Sequence, residues 1–203
     1  QLATLVDDSD AVLLFATADF IDRLGAHRAS CPKIRADGLV SVFCDAPGWQ
    51  GYGAFLQGAA ATPPPASCHA ALPFNIIYSS GTTGLPKGIV QTHRTRTHWA
   101  MFNAIEQGFS EHSRALTTTA LYSNGTWLMM LPALFVGGTC VVMPAFDPRE
   151  FLAMLQREQI THTFMVPAQF LMVLSQPDFD SFDTSGLQSL LCAGSPLRRD
   201  TKR

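Results

Sequence analysis

The sequence of 203 residues lacks several features that indicate particular classes of protein. Its 14 Lys and Arg nearly balance its 16 Asp and Glu, so the charge favours neither nucleic acid nor an anionic membrane as a partner. Its longest apolar stretch, TWLMMLPALFVGG, is interrupted by Pro132 and by Gly137 and Gly138, which argues against a transmembrane segment. The first residues lack the basic and apolar parts of a signal peptide. We therefore expect a cytoplasmic protein.

Cysteine is also sparse. The five cysteines are odd in number, widely separated and without a CxxC pair, unlike a disulfide framework. They are Cys31, Cys44, Cys68, Cys140 and Cys192. We expect reduced, buried thiols.

Short apolar runs alternate with helical patterns along the chain. Strands are predicted at 11–16, 39–44, 74–79 and 140–144, with weaker candidates at 161–167 and 187–194. Helices are predicted at 18–26, 96–108, 125–138 and 147–159; the third is apolar on most sides, which predicts a buried helix that ends at its glycines. The fourth has the clearest start, with Asp147 as N-cap, Pro148 at the first position and Glu150 three residues after the cap. This alternation predicts an α/β fold: a doubly wound, mostly parallel sheet with flanking helices.

The segment 59–73 differs in composition, with three consecutive prolines and little periodicity. It predicts a surface connector between a first α/β portion, 1–58, and a second portion, 74–203. Both ends of the chain look cut, so we expect a fragment of a longer polypeptide.

The run YSSGTTGLPKG, residues 78–88, follows a predicted buried strand, where ligands bind in α/β folds. Its glycines allow backbone N–H groups to approach an anion, and its hydroxyls and lysine add further donors. The donor and glycine positions are Ser79, Ser80, Gly81, Thr82, Thr83, Gly84, Lys87 and Gly88. Together they predict a phosphate-binding loop.

A Walker A motif and an ordinary turn are the alternatives for this loop. Counted from Gly81, a Walker A motif requires glycine at Pro86 and Ser or Thr at Gly88, so a P-loop NTPase is excluded. An ordinary Ser/Gly turn stays open as an alternative, although such turns rarely combine so many hydroxyls and glycines with a lysine.

The same run resembles the signature loop of adenylate-forming enzymes, which include acyl- and aryl-CoA synthetases, peptide-synthetase adenylation domains and firefly-type luciferases. The segments GIVQTHRT, LPALFVGGTCVVMPAFDP, ITHTFMVPAQF and LLCAGSPL are similar to later parts of that family's N-terminal domain. The resemblance implies that a carboxylic acid reacts with ATP and Mg²⁺ to give an acyl-AMP and pyrophosphate. The acyl group then passes to a thiol such as coenzyme A.

The resemblance also implies roles for individual residues. It assigns the leaving pyrophosphate to Ser79, Ser80, Gly81, Thr82, Thr83, Gly84 and Lys87, with Lys87 as the catalytic residue. It places Gly194 and Ser195 against the nucleotide and the acyl group, although a plain strand-to-helix turn explains them too. No metal ligand is assigned within the chain.

One departure from the family lies in TTALYSNGTW, which lacks the Pro-x-x-His found in many members. Tyr122 or Ser123 takes the nearest position, and the resemblance to a subgroup implies that Tyr122 and Asn124 line the acid pocket. Alternatively, they end a strand and cap the following helix. His93 is expected to be satisfied by local hydrogen bonds.

The family's Tyr-Gly-x-Thr-Glu motif and its C-terminal domain with a catalytic lysine would follow residue 203. We therefore expect the parent to be an acid–CoA ligase and this chain alone to be inactive. Alternatives are an adenylation domain that loads a carrier-protein thiol and a non-catalytic nucleotide-binding module. Phe164, Met165, Phe170 and the helix at 127–136 suggest an apolar acid, although core packing explains them equally well.

Overall fold

The computed structural model describes residues 2–25, 28–63, 68–79 and 86–197. These residues form seven α-helices: α1 (Leu2–Asp8), α2 (Ala18–Gly25), α3 (Tyr52–Phe55), α4 (His93–Gln107), α5 (Asn124–Phe135), α6 (Pro148–Arg157) and α7 (Pro167–Leu174). They also form nine strands: β1 (Leu14–Ala16), β2 (Leu39–Ser41), β3 (Gln50–Gly51), β4 (Pro73–Ser79), β5 (Lys87–Thr92), β6 (Arg114–Thr117), β7 (Thr139–Val142), β8 (His162–Met165) and β9 (Ser189–Cys192). All six strands and all four helices predicted from sequence form, most of them with shorter bounds.

The chain divides into two compact units, Gln1–Val90 and Gln91–Arg203. In the first unit, β1, β2 and β3 form a parallel sheet. Its core contains Val6, Leu24, Cys31, Ile34 and Leu39. Strands β4 and β5 pair in a separate two-stranded sheet, so the strands of the described residues form three sheets. The division at 58 and 73 stays a prediction.

The second unit contains a four-stranded sheet in the order β7-β6-β8-β9, and each neighbouring pair is parallel. Strand β6 is one of the two central strands, with Leu116 opposite Val141 of β7 and Thr163 of β8. Neither β6 nor α7 was among the elements predicted from apolar patterns, and the strand that one alternative ended near Tyr122 already ends at Thr117. Strand β8 is buried along its whole length, as expected of a central parallel strand.

The sheet of the second unit is covered on both faces. Successive residues of a strand point to opposite faces. Ala115 and Phe164 pack in one core cluster with residues of α4 and α5. Their neighbours Leu116 and Met165 pack in another cluster with residues of α6 and α7. Two helices therefore lie on each face, which confirms the doubly wound α/β arrangement for this sheet.

Local signals account for the ends of two helices. The Asp147 side chain accepts a hydrogen bond from the Glu150 backbone N–H at 2.7 Å, which confirms the predicted N-cap of α6. Helix α5 ends before Gly137, whose φ of +80° is the left-handed conformation that glycine adopts without strain. Most of α5 is buried or half-buried, as expected, but its last two residues, Leu134 and Phe135, are 57% and 51% exposed.

The cysteines also differ from expectation. Cys31 is buried, but Cys68 is exposed and the other three are half-buried. Cys68 lies in the proline-rich connector rather than in an apolar strand. Separately, none of the described helices is long and apolar enough to cross a membrane.

Gly125, in the first turn of α5, lies directly against strand β8. A Cβ atom at this position would overlap the ring of Phe164. Phe164 is only 5% exposed and packs within a core cluster, so its ring has little room to move. The close approach of α5 to β8 therefore requires glycine here.

We predict that Gly125→Ala lowers the free energy of unfolding by about 1–3 kcal/mol, because the added methyl group must displace a buried ring. Gly53→Ala in α3 is the matched control, since no atom lies within 4 Å of its added Cβ. The control is expected to be neutral or stabilising by up to about 1 kcal/mol. Urea unfolding of both variants measures the difference, and equal stabilities would contradict the prediction.

His162 is a fully buried residue of β8 with a partner for each ring nitrogen. Nε2 lies 2.9 Å from the Gln107 carbonyl oxygen, which only accepts, so Nε2 carries the proton and donates. Nδ1 lies 2.7 Å from the Thr161 hydroxyl and accepts from it. The ring stacks on Phe109 with centroids 3.9 Å apart. Burial lowers the pKa of His162, so the folded protein holds the neutral ring.

This lowered pKa predicts a loss of stability in mild acid. Below about pH 6.5 this histidine binds a proton in the unfolded chain more readily than in the folded protein. The free energy of unfolding therefore decreases as the pH is lowered. His162→Gln should remove that share of the pH dependence between pH 7.5 and 5.5, measured by urea unfolding. His112→Gln, at a side chain 89% exposed, should leave it unchanged. A His162→Gln variant with wild-type pH dependence would contradict this assignment.

Candidate functional site

The predicted phosphate loop lies between two paired strands. Ser79 is the last residue of β4 and Lys87 is the first residue of β5, and both side chains are exposed. The two strands are neighbours in one sheet, so the structure holds both ends of the loop on regular backbone. Ser80, Gly81, Thr82, Thr83 and Gly84 lie outside the described residues, and their roles stay predictions.

Tyr78 connects the start of this loop to α1. Its hydroxyl donates a 2.6 Å hydrogen bond to Asp8 Oδ2. Burial and this carboxylate raise the pKa of Tyr78 to about 12, so the phenol stays a neutral donor. A Cβ at Gly88, on the other side of the loop, would lie 3.1 Å from the Tyr78 ring. Sequence reasoning included Tyr78 in the motif without a role, and no sequence signal indicated Asp8.

A buried glutamine organises the carboxyl edge of the four-stranded sheet. Gln169 of α7 donates from Nε2 to the Thr118 carbonyl oxygen at 3.0 Å. Its Oε1 accepts from the Val166 backbone N–H at 3.1 Å. The side chain thereby joins the segment after β6 to the segment after β8. This residue was not identified from sequence, because its partners include backbone groups and a Thr118 hydroxyl that lies 51 positions away.

The turn after β9 reaches the same edge. Gly194 has a φ of +95°, a conformation suited to glycine, and its Cβ position lies 3.4 Å from Val166 Cγ1. Gly194 and Ser195 are exposed. The structure thus brings the predicted Gly194 turn beside the end of β8. Whether this turn contacts a ligand stays a prediction.

The segment after β6 contains the two residues predicted for the acid pocket. Tyr122 is 76% exposed, and Asn124 is the exposed first residue of α5. The helix cap is Ser123, whose hydroxyl accepts from the Gly125 N–H at 3.2 Å. Strand β6 already ends at Thr117. The cap is therefore Ser123 rather than its neighbours Tyr122 and Asn124, and the assignment of these two residues to an acid pocket stays a prediction.

Asn124 contacts a buried arginine of α4. Arg96 is 5% exposed, and its Nη2 donates to Asn124 Oδ1 at 3.0 Å. The guanidinium carbon lies 4.9 Å from the Trp99 ring centroid and 5.2 Å from that of Trp127, distances typical of cation–π contacts. Burial lowers the pKa of Arg96, but a guanidinium stays charged at neutral pH. We name Arg96, Trp99, Trp127 and Asn124 the arginine cluster.

Core packing accounts for three further residues that the sequence linked to an apolar acid. Phe164 and Met165 are buried within the core clusters, and Phe170 packs against one of them.

His93 is the first residue of α4. Among the described residues, no group of three or more His, Cys, Asp or Glu side chains is arranged to hold a metal ion.

Known proteins resemble this chain along its whole length. A sequence profile of the AMP-binding enzyme family matches residues 1–203. The chain is 33% identical over 196 residues to an indoleacetate–CoA ligase of Aromatoleum aromaticum, covering 95% of this chain and 38% of the ligase. It is 35% identical over 127 residues to a feruloyl-CoA synthase of Amycolatopsis, covering 62% of this chain and 26% of the synthase. The chain thus spans well under half the length of these relatives.

Solved structures agree in fold. A fatty acyl CoA synthetase of Mycobacterium tuberculosis superposes on 98% of this chain and 38% of its own, with a TM-score of 0.79 and 21% identity. An anthranilate CoA ligase in complex with anthranoyl-AMP superposes on 97% of this chain and 38% of its own, with a TM-score of 0.85 and 22% identity. On the match of the family profile to residues 1–203, the chain belongs to the AMP-binding enzyme family.

Proposed function

We propose that the chain is part of an ATP-dependent carboxylic acid–CoA ligase. Such an enzyme forms an acyl-AMP with release of pyrophosphate and then transfers the acyl group to the thiol of coenzyme A with release of AMP. The main support is the run YSSGTTGLPKG between β4 and β5 in a chain of the AMP-binding family. Curated relatives that act as CoA ligases support the same reaction. Residues 1–203 alone are proposed to be inactive.

In the first step, the acid's carboxylate attacks the α-phosphorus of ATP and pyrophosphate leaves. Negative charge builds up on the leaving group, so fixed donors near it lower the barrier. We assign that task to Lys87 and to Ser79, Ser80, Gly81, Thr82, Thr83 and Gly84. The exposed Lys87 side chain is free to follow the phosphates, while the Tyr78–Asp8 hydrogen bond holds the loop's first strand.

Two further groups enter the proposed reaction. Bound Mg²⁺ would neutralise charge on the transferring phosphates. Since the described residues offer no cluster of metal ligands, we derive no step through it. Gly194 and Ser195 are proposed to lie against the nucleotide and the acyl group, where an exposed, positive-φ glycine permits close backbone approach.

The acid is proposed to be apolar, either aromatic or aliphatic. The relatives named for indoleacetate and feruloyl-CoA support an aromatic acid. A relative of Mycobacterium tuberculosis named as a medium/long-chain fatty-acid–CoA ligase, 30% identical over 122 residues, supports an aliphatic one. Tyr122 and Asn124 are proposed to line the pocket. The protein is proposed to act in the cytoplasm.

The acceptor thiol separates the leading proposal from its alternative. A relative of Pseudomonas aeruginosa named pyochelin synthase, 35% identical over 121 residues, has no coenzyme A in its name, so we keep another acceptor, such as a carrier-protein thiol, as the alternative. Thioester formation with coenzyme A supports the ligase, and acylation of a carrier protein alone supports the adenylation domain. A nucleotide-binding protein without either product would be a non-catalytic module.

The proposal is tested by pyrophosphate release from the full-length protein with ATP, Mg²⁺ and coenzyme A. The panel of acids should include indoleacetate, ferulate, anthranilate and medium-chain and long-chain fatty acids. Release with at least one acid, together with its CoA thioester, is the expected result. No release with any of them would defeat the enzyme proposal.

Within that assay, Lys87→Ala should lower kcat about 100- to 1000-fold, as the loss of one charge-stabilising donor does elsewhere. The fold should be intact, because Lys87 is an exposed residue. Lys33→Ala is the matched control, since it removes an exposed lysine that pairs with Asp7 and Asp10 and should keep wild-type activity. An unfolded Lys87→Ala protein would instead indicate that the loop is an ordinary structural turn.

A further inference from the structure

Arg96 has a position that the reaction chemistry above does not explain. It is almost completely buried, yet it contacts the exposed side chain of Asn124, a proposed acid-pocket residue. We propose that Arg96 is a positioning residue that holds Asn124 with its amide NH₂ group available to an oxygen of the acid substrate. This inference rests on the proposed function, because it requires the acid to bind beside Asn124.

The contact decides how the Asn124 amide is oriented. Oxygen and nitrogen of an amide are assigned from their hydrogen-bond partners. Arginine has only donors, so the Asn124 atom 3.0 Å from Nη2 must be the oxygen. The nitrogen, with its two N–H donors, therefore points away from Arg96. A carboxylate accepts hydrogen bonds and donates none, so it is complementary to this end of the amide.

The tryptophans fix the guanidinium in turn. Trp99 lies three residues after Arg96 on α4, and Trp127 lies three residues after Asn124 on α5. The Trp127 Nε1–H donates to the Leu121 carbonyl oxygen at 2.7 Å, which holds this ring against the segment before α5. The guanidinium is thus placed by contacts from both helices. The guanidinium cannot turn to another orientation without losing these contacts, and Asn124 cannot turn without losing its hydrogen bond to the guanidinium.

Stability alone does not account for this arrangement. A buried charge carries a desolvation cost, and an apolar side chain between two indole rings would pack without it. Asn124 does not need Arg96 either, because its exposed oxygen would be hydrated in the absence of a protein partner. A positioning role accounts for the cost, since a fixed donor loses less entropy when the acid binds.

The test uses the full-length ligase with an acid that it turns over. Arg96→Met keeps an unbranched apolar side chain between the indoles and removes the donor to Asn124. The KM for the acid should rise about tenfold, as expected for the loss of a hydrogen bond to a charged group. The KM for ATP should stay within about twofold, because the loop residues are untouched. Arg94→Met is the matched control, since it removes an exposed arginine of the same helix.

Asn124→Asp provides an independent second variant. It keeps an oxygen for Arg96 but replaces the NH₂ donor by an acceptor. The prediction is wild-type or greater stability to urea together with a rise in the KM for the acid of about tenfold or more. If Arg96 and Asn124 had only a structural role, the Asn124→Asp enzyme would keep both its stability and its KM for the acid. In the double variant Arg96→Met/Asn124→Ala, the KM should not exceed that of Asn124→Ala alone, because Arg96 acts through Asn124.

The KM values of the two variants support or overturn the positioning role of Arg96. A folded Arg96→Met enzyme with an unchanged KM for the acid overturns the inference, as does an equal rise in the KM for ATP. If Arg96→Met does not fold, Asn124→Asp decides, and an unchanged KM for the acid overturns the inference. A wild-type protein without pyrophosphate release defeats the proposed function and this inference with it. An active wild type with unaffected variants defeats the inference alone.

Discussion

Parallel pairing of β6 with β7 and β8 determines which residues of the second unit meet. Parallel strands end at one edge of their sheet, so segments far apart in sequence emerge side by side. Gln169 makes use of this arrangement by bonding the backbone after β6 and the backbone after β8 with one side chain. Gly194 follows β9 and packs beside Val166, at the end of β8. A change in register by one residue would point the side chains of the shifted strand to the opposite face of the sheet and separate these partners.

Sequence patterns identified most of this framework, for physical reasons that differ between elements. The N-cap at Asp147 involves residues only three positions apart, so it can be recognised locally and is confirmed. Buried strands such as β2 lie in apolar runs, which also show in sequence. Strand β6 was missed, because RALT is short, begins with a charged residue and leads into further threonines. Its strand conformation comes from its neighbours on both sides rather than from its own composition.

The candidate site likewise contains some features that could be proposed from sequence and others that could not. A phosphate loop could be proposed from sequence because its glycines, hydroxyls and lysine are contiguous, and β4 before it forms where the sequence predicted a strand. Arg96 could not be predicted, because its partner Asn124 is 28 positions away in the sequence. Asp8, 70 positions from Tyr78, is a second example. Single-sequence reasoning finds chemistry that is local and misses pairs that only the fold brings together.

The polar residues buried in the second unit share one property that bears on function. Gln169, His162 and Arg96 each have a hydrogen-bond partner in the structure, so their burial does not leave a polar group unsatisfied. Apolar residues would nevertheless be at least as stable at such positions, because they carry no desolvation cost. What hydrogen-bonded groups add is direction: each fixes the segment it contacts in one orientation. Gln169 contacts the carboxyl edge of the sheet and Arg96 contacts the start of α5, so they fix the segments in which the acid and nucleotide are proposed to bind. His162 instead joins α4 to the opposite end of β8.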